Sequence, residues 1–118
     1  MNYDWFDEYC LSKKGVVKEY KQEWLCTRYL IGDKMIAMVG GDNKGNEIFT
    51  LKCEPAAGLM LREKYDDITP GYYMNKVHWN SVKIDGNVPH DVIKQMIDMS
   101  YRLVLNSLTK KMQEKITG

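Results

Sequence analysis

From Leu25 to Lys52 the chain passes through three short apolar-rich segments, each divided from the next by residues that turn the backbone. Leu25 to Ile31 is followed by Gly32-Asp33, which suits a tight type II′ hairpin turn because glycine takes positive φ freely. Met35 to Val39 is short and apolar almost throughout, the pattern of a central strand. Gly40 to Asn46 consists of turn formers and Lys44, and Glu47 to Lys52 returns as a third strand. Strands joined by such short connections pair antiparallel, so this stretch predicts a meander.

Helical signals flank it. Asn2 can cap a first helix, with Asp4 in its first turn, near the positive end of the helix dipole. Phe6, Tyr9 and Cys10 give that helix one apolar face, and Gly15 ends it after Lys13 and Lys14. Lys18 to Glu23 reads as a polar approach to the meander. Pro55 fits the first position of a second helix, where its missing N–H is not needed, and Ala56, Leu59 and Met60 form its expected buried stripe. Asp66-Asp67 and Pro70-Gly71 end that helix and open a turn. Tyr72 to Asn75 and Trp79 to Asp85 read as two further strands. After Pro89 comes the longest helix, with Ile93, Met96, Ile97, Ser100, Val104, Ser107 and Leu108 on one face and Asp91, Lys94, Gln95, Asp98 and Arg102 largely opposite. Thr109 to Gly118 is expected to fray. The predicted order is α-β-β-β-α-β-β-α: a two-layer α+β domain, spanning residues 1–118, with a five-stranded antiparallel sheet and helices on one side.

With 118 residues this is enough chain to bury a core without disulfides or a metal. Its formal net charge of +1 argues against a surface that is basic throughout, although the last eighteen residues are locally basic. Cys10, Cys26 and Cys53 are odd in number and widely spaced, so they read as buried reduced thiols rather than a zinc site. The first residues are acidic and lack a signal-peptide pattern, and no apolar run is long enough to span a membrane, so a cytoplasmic location is expected.

Pro70 to Lys83, P-G-Y-Y-M-N-K-V-H-W-N-S-V-K, crowds tyrosines, a tryptophan, a histidine, asparagines and lysines into one segment. Such a mixture makes either a structural hydrogen-bond hub or a recognition surface. Gly32-Asp33-Lys34-Met35, Leu51-Lys52-Cys53-Glu54-Pro55, Pro70-Gly71-Tyr72, Asn75-Lys76-Val77-His78-Trp79-Asn80 and Ser100-Tyr101-Arg102-Leu103-Val104 together resemble the MmcQ/YjbR family, in order over almost the whole chain. The resemblance implies a bacterial α+β domain of the CyaY-like or secretion-chaperone-like kind, bearing a double-wing DNA-binding surface and no established enzymatic activity. Fold does not fix function, so that implication is an analogy.

On a regular strand Lys76, His78 and Asn80 share one face, while Asn75, Val77 and Trp79 share the other. The nucleic-acid reading therefore takes Lys76, His78, Asn80, Lys83 and Arg102 as the contacting residues, with Lys110 and Lys111 as further cations, the Gly40–Asn46 tip as one wing, and Tyr72 and Tyr73 as stacking rings. The structural reading makes Asn75, Trp79, Ser100 and Tyr101 a hub that docks the last helix. Ser100 with His78 lacks a strained elbow, an oxyanion loop and an orienting acid, so no catalytic site is assigned. His78 and His90 have no partners at ligand spacing, so neither a metal nor a cofactor is expected. The expected function is a non-enzymatic binding domain, a monomer rather than a dimer. DNA is the first candidate partner and a protein or peptide the alternative, the latter suggested by Met35, Met38, Met60, Met96 and Met99.

Overall fold

Six strands, not five, form one antiparallel sheet in the order β1-β2-β3-β4-β6-β5. The computed structural model describes residues 3–42, 44–71 and 75–118. Its elements are α1 (Asp4–Leu11), β1 (Val17–Lys21), a 3-10 turn (Gln22–Trp24), β2 (Cys26–Ile31), β3 (Lys34–Gly41), β4 (Glu47–Lys52), α2 (Pro55–Lys64), β5 (Ile68–Pro70), β6 (Trp79–Lys83), α3 (His90–Asn106) and α4 (Lys110–Thr117).

The meander forms as expected, with one difference at its first turn. Gly32 and Asp33 have φ of 52° and 69°, so both central residues are left-handed and the turn is of type I′ rather than II′. Asp33 tolerates that region better than most residues because its short polar side chain bonds locally. A bulge between Tyr29 and Leu30 lets Leu30 face Met35 while Tyr29 faces Ala37.

Three expectations about secondary structure are corrected outside the meander. Val17–Lys21 is an edge strand on β2, although its sequence VKEYK has no apolar face to betray it. The first of the two late strands is Ile68–Pro70, paired with β6, rather than one from Tyr72 to Asn75; Asn75 lies outside any strand, and Tyr72 and Tyr73 lie outside the described residues, as does the Asn2 cap. The tail forms α4, capped by Thr109, whose Oγ1 accepts from Met112 N–H at 3.2 Å. Leu108 and Met112 lie against Gly32, and Ile116 lies against Gly15, so tertiary contacts hold a segment of weak apolar content.

Alternation divides the sheet into two faces. Thr27, Val39, Phe49, Val82 and Ile68 lie across from one another on the face that packs against α1 and α3. There Phe6 stacks on Phe49 with ring centroids 3.7 Å apart, while Ile93, Met96, Ile97 and Val104 bury the expected side of α3. The expected stripe of α2 is wrong. Ala56, Leu59 and Met60 are exposed, and Gly58 is the residue buried against the strands, because helix and strand approach too closely there for a side chain.

Candidate functional site

Arg28, Met38, Thr50 and Ser81 run across the other face of the sheet, and Gly40, Ile48 and Lys83 run beside them. Thr50 and Ser81 satisfy each other there at 3.0 Å. Gly40 has no side chain to fill its place, and a Cβ added to it would stand 3.1 Å from Cys26 Cβ. The result is a hollow of about 750 Å³ lined by Glu23, Trp24, Cys26, Arg28, Met35, Met38, Gly40, Gly41 and Ile48. That volume lies within the range of small-ligand pockets.

Its rim is built by the 3-10 turn. Trp24 is 64% exposed and Leu25 72% exposed. Leu25 has φ of 49°, a left-handed conformation that costs a non-glycine residue roughly 1 kcal/mol or more. Lys21 Nζ and Arg28 Cζ stand 5.8 and 5.7 Å from the Trp24 ring centre. Arg28 also bonds Glu19 through Nε at 2.9 Å and through Nη2, and this hydrogen bonding, with the charge of the guanidinium, holds the Glu19 carboxyl below the usual range. The hollow thus joins an apolar floor to an aromatic rim and a largely neutralised arginine.

The segment that drew attention in the sequence is arranged differently from a regular strand. Asn75 to His78 form a turn, closed by Asn75 Oδ1, which accepts from Val77 N–H at 2.9 Å and His78 N–H at 3.3 Å. Lys76 and His78 are exposed, but Asn80 is fully buried on the helix-facing side, so the three do not make one platform. Asn80 Nδ2 donates to Gly58 O at 3.2 Å, and Asn80 Oδ1 accepts from Arg62 Nη1 at 2.6 Å. Trp79 is buried on the opposite face, with the Lys52 ammonium 6.0 Å from its ring centre. Lys83 is exposed beside Ile48 on the face with the hollow, whereas Arg102 is exposed on α3 in the other layer. The five expected nucleic-acid contacts therefore do not converge.

Ser100 is fully buried; its hydroxyl donates to Ile36 O at 2.5 Å and accepts from Lys52 N–H at 3.1 Å. Tyr101 O–H donates to Lys14 O at 2.7 Å, tying α3 to the loop after α1 rather than to the Asn75–Asn80 segment. His90 is exposed and stacks on Trp5 with ring centres 4.0 Å apart. Among the described residues no group of three or more His, Cys, Asp or Glu side chains is placed to hold a metal. All three cysteines are free and buried, and burial pushes the Cys53 thiol up against the opposing charge of Arg62. No helix among the described residues is long and apolar enough to cross a membrane. Of the five methionines singled out, Met35 and Met38 line the sheet hollow, while Met60, Met96 and Met99 line a hollow of about 300 Å³ between α2 and α3.

Sequence reasoning missed Trp24 and Arg62. The available signal for Trp24 was a tryptophan between two cations, in a segment too polar for a core. Arg62 carries no local signal, since its role comes from a residue eighteen positions away. Mutation separates these roles. His78→Ala and Lys76→Ala are expected to change stability by less than about 0.5 kcal/mol, being exposed. Asn80→Ala is expected to cost about 1–2 kcal/mol, because Gly58 O loses its partner; chemical denaturation of the three variants checks the order.

The YjbR family model matches residues 11–103. The uncharacterized protein YjbR of Escherichia coli strain K12 is 30% identical over 104 residues, covering 88% of this chain and 87% of that one. The uncharacterized protein YyaQ of Bacillus subtilis strain 168 is 35% identical over 75 residues, 63% of each chain. A crystal structure of a Deinococcus radiodurans protein with a DUF419 domain superposes with a TM-score of 0.85 at 25% identity, covering 96% of this chain and 86% of that one. A Pseudomonas syringae crystal structure gives 0.74 at 25% identity, covering 87% and 98%.

Proposed function

This chain belongs to the YjbR family, and we propose that it is a non-catalytic binding domain that grips a protein or peptide segment by seating an apolar side chain in the sheet hollow. The carrying observation is the hollow itself, about 750 Å³ with Trp24, Cys26, Met35, Met38 and Ile48 around it and, among the described residues lining it, only Glu23 and Arg28 charged. Methionines adapt to varied side-chain shapes, which suits a site that reads apolar bulk. The exposed Trp24-Leu25 rim supplies further apolar area, of the aromatic kind that anchors protein interfaces. A non-catalytic role is supported by Ser100, whose buried hydroxyl is committed to two backbone groups.

Nucleic acid is the second reading, favoured by one observation: an exposed tryptophan flanked by Lys21 and Arg28 can stack a base beside its phosphates. On this second reading a single strand would meet Trp24 rather than Lys76, His78, Asn80, Lys83 and Arg102.

Anisotropy titrations separate the two. Labelled hexapeptides with a central Leu, Phe or Trp are compared with a labelled single strand and duplex, at low and physiological salt. Saturable peptide binding with little salt dependence is expected, weakened at least about tenfold, or 1.4 kcal/mol, by Trp24→Ala or Met35→Lys. Steeply salt-dependent binding of the single strand, lost in Trp24→Ala, would favour nucleic acid. Binding of neither would reject the hollow as a ligand seat.

A further inference from the structure

We propose that Arg62 is the binding residue of a second site, at the junction of α2 and β6, that takes a phosphate group. The clamp on Arg62 is built from a buried amide rather than a carboxylate. A fully buried amide, Asn80, gives its carbonyl oxygen to Arg62 Nη1 at 2.6 Å while its Nδ2 is anchored on Gly58 O at 3.2 Å. Gly58 makes this possible: a Cβ there would stand 2.5 Å from Cys53 Sγ, and 3.4 Å from both Arg62 Nη1 and Asn80 Nδ2. Helix, strand and amide are thus pressed together around the guanidinium.

Arg62 lies in the last turn of α2, where the helix dipole favours a cation. The dipole accounts for the charge and leaves the clamp unexplained, since a solvated cation needs no buried amide to aim it. Among the described residues no carboxylate pairs with Arg62, whereas Arg28 is neutralised by Glu19. With Nη1 held by Asn80, the edge formed by Nε and Nη2 has no partner among the described residues. Its two parallel N–H bonds match two oxygens of one phosphate, and they belong to a half-buried residue whose orientation Asn80 already sets. Cys53 connects the clamp to the exposed His78, because its N–H donates to His78 O at 2.8 Å and its sulfur lies against Gly58. The site is on the helix-facing side of β6, apart from the hollow, and stands or falls independently of the peptide reading.

The test follows the Nε–Hε resonances of the three arginines, Arg28, Arg62 and Arg102, while inorganic phosphate is added to the whole chain at constant ionic strength. The expected result is a saturable shift at Arg62, absent from Arg102, with acetate binding more weakly. Arg62→Lys keeps the charge but loses the fork, and is expected to weaken phosphate at least tenfold as read at the Gly58 and Asn80 amides. A shift at Arg102 in step with Arg62, no saturation at Arg62, unchanged affinity in Arg62→Lys, or tighter binding of acetate than of phosphate would each overturn the proposal.

Discussion

Phe49→Ala is expected to lower the unfolding free energy by about 3–5 kcal/mol, a large share of the roughly 5–15 kcal/mol typical of a domain. Phe49 is fully buried on β4, an inner strand of the sheet. Its ring stacks on Phe6 and meets Tyr3 and Trp5 edge-on at centroid distances of 6.2 and 5.9 Å. Those three partners belong to α1 or its first flank, so truncation removes the patch on which the first helix sits as well as the volume of one ring. Urea denaturation is the measurement, with Leu59→Ala, on the exposed side of α2, as a control expected within about 0.5 kcal/mol. A loss below about 1.5 kcal/mol at Phe49 would mean that the neighbouring rings close the gap and that α1 docks by other contacts.

Ser100→Ala is expected to cost about 2–4 kcal/mol, more than its small size suggests. The missing oxygen leaves two backbone groups without their partner, Ile36 O on β3 and Lys52 N–H on β4, each a desolvation penalty of about 1–3 kcal/mol with some relaxation. Ile36 is the residue passed over at the bulge, between Met35 opposite Leu30 and Ala37 opposite Tyr29. Ser100 therefore fastens α3 to the irregular point of the sheet. Hydrogen exchange reads this directly: the Lys52 amide is expected to exchange faster in Ser100→Ala while Phe49 stays protected. An unchanged Lys52 amide would show that another group, such as a water, takes over the bond.

The parts of the fold that were legible are those where periodicity is driven by burial. β4 runs from Glu47 to Lys52 as read, and Ile93, Met96, Ile97, Ser100 and Val104 are all buried, because one side of each element must face the core. β1 and α4 were illegible for the complementary reason. An edge strand of sequence VKEYK needs no apolar face, and α4 is held by Met112 and Ile116 against glycines far away in the chain. The α2 stripe failed because a glycine, invisible to any hydrophobic pattern, makes the closest approach. The candidate site was less legible still. The Asn75–Asn80 reading rested on regular alternation, but the strand starts only at Trp79, which turns Asn80 inward. The hollow depends on the bare Gly40 between Cys26 and Ile48, a tertiary fact that no local spacing announces.

The strand order also sets when the sheet can be completed. β1 to β4 are neighbours in both sequence and space, so their pairing needs only short loops to close. β5 pairs only with β6 among the described strands, and β6 joins through β4, which precedes it by some thirty residues and a helix. During synthesis β5 emerges first and must wait without a partner. The part of the meander's apolar face that α1 does not cover waits longer, until α3 has been made. A nascent chain halted before His90 therefore exposes Ile36, Val39 and Leu51, and it is in that interval, rather than after release, that this fold is most open to misassembly.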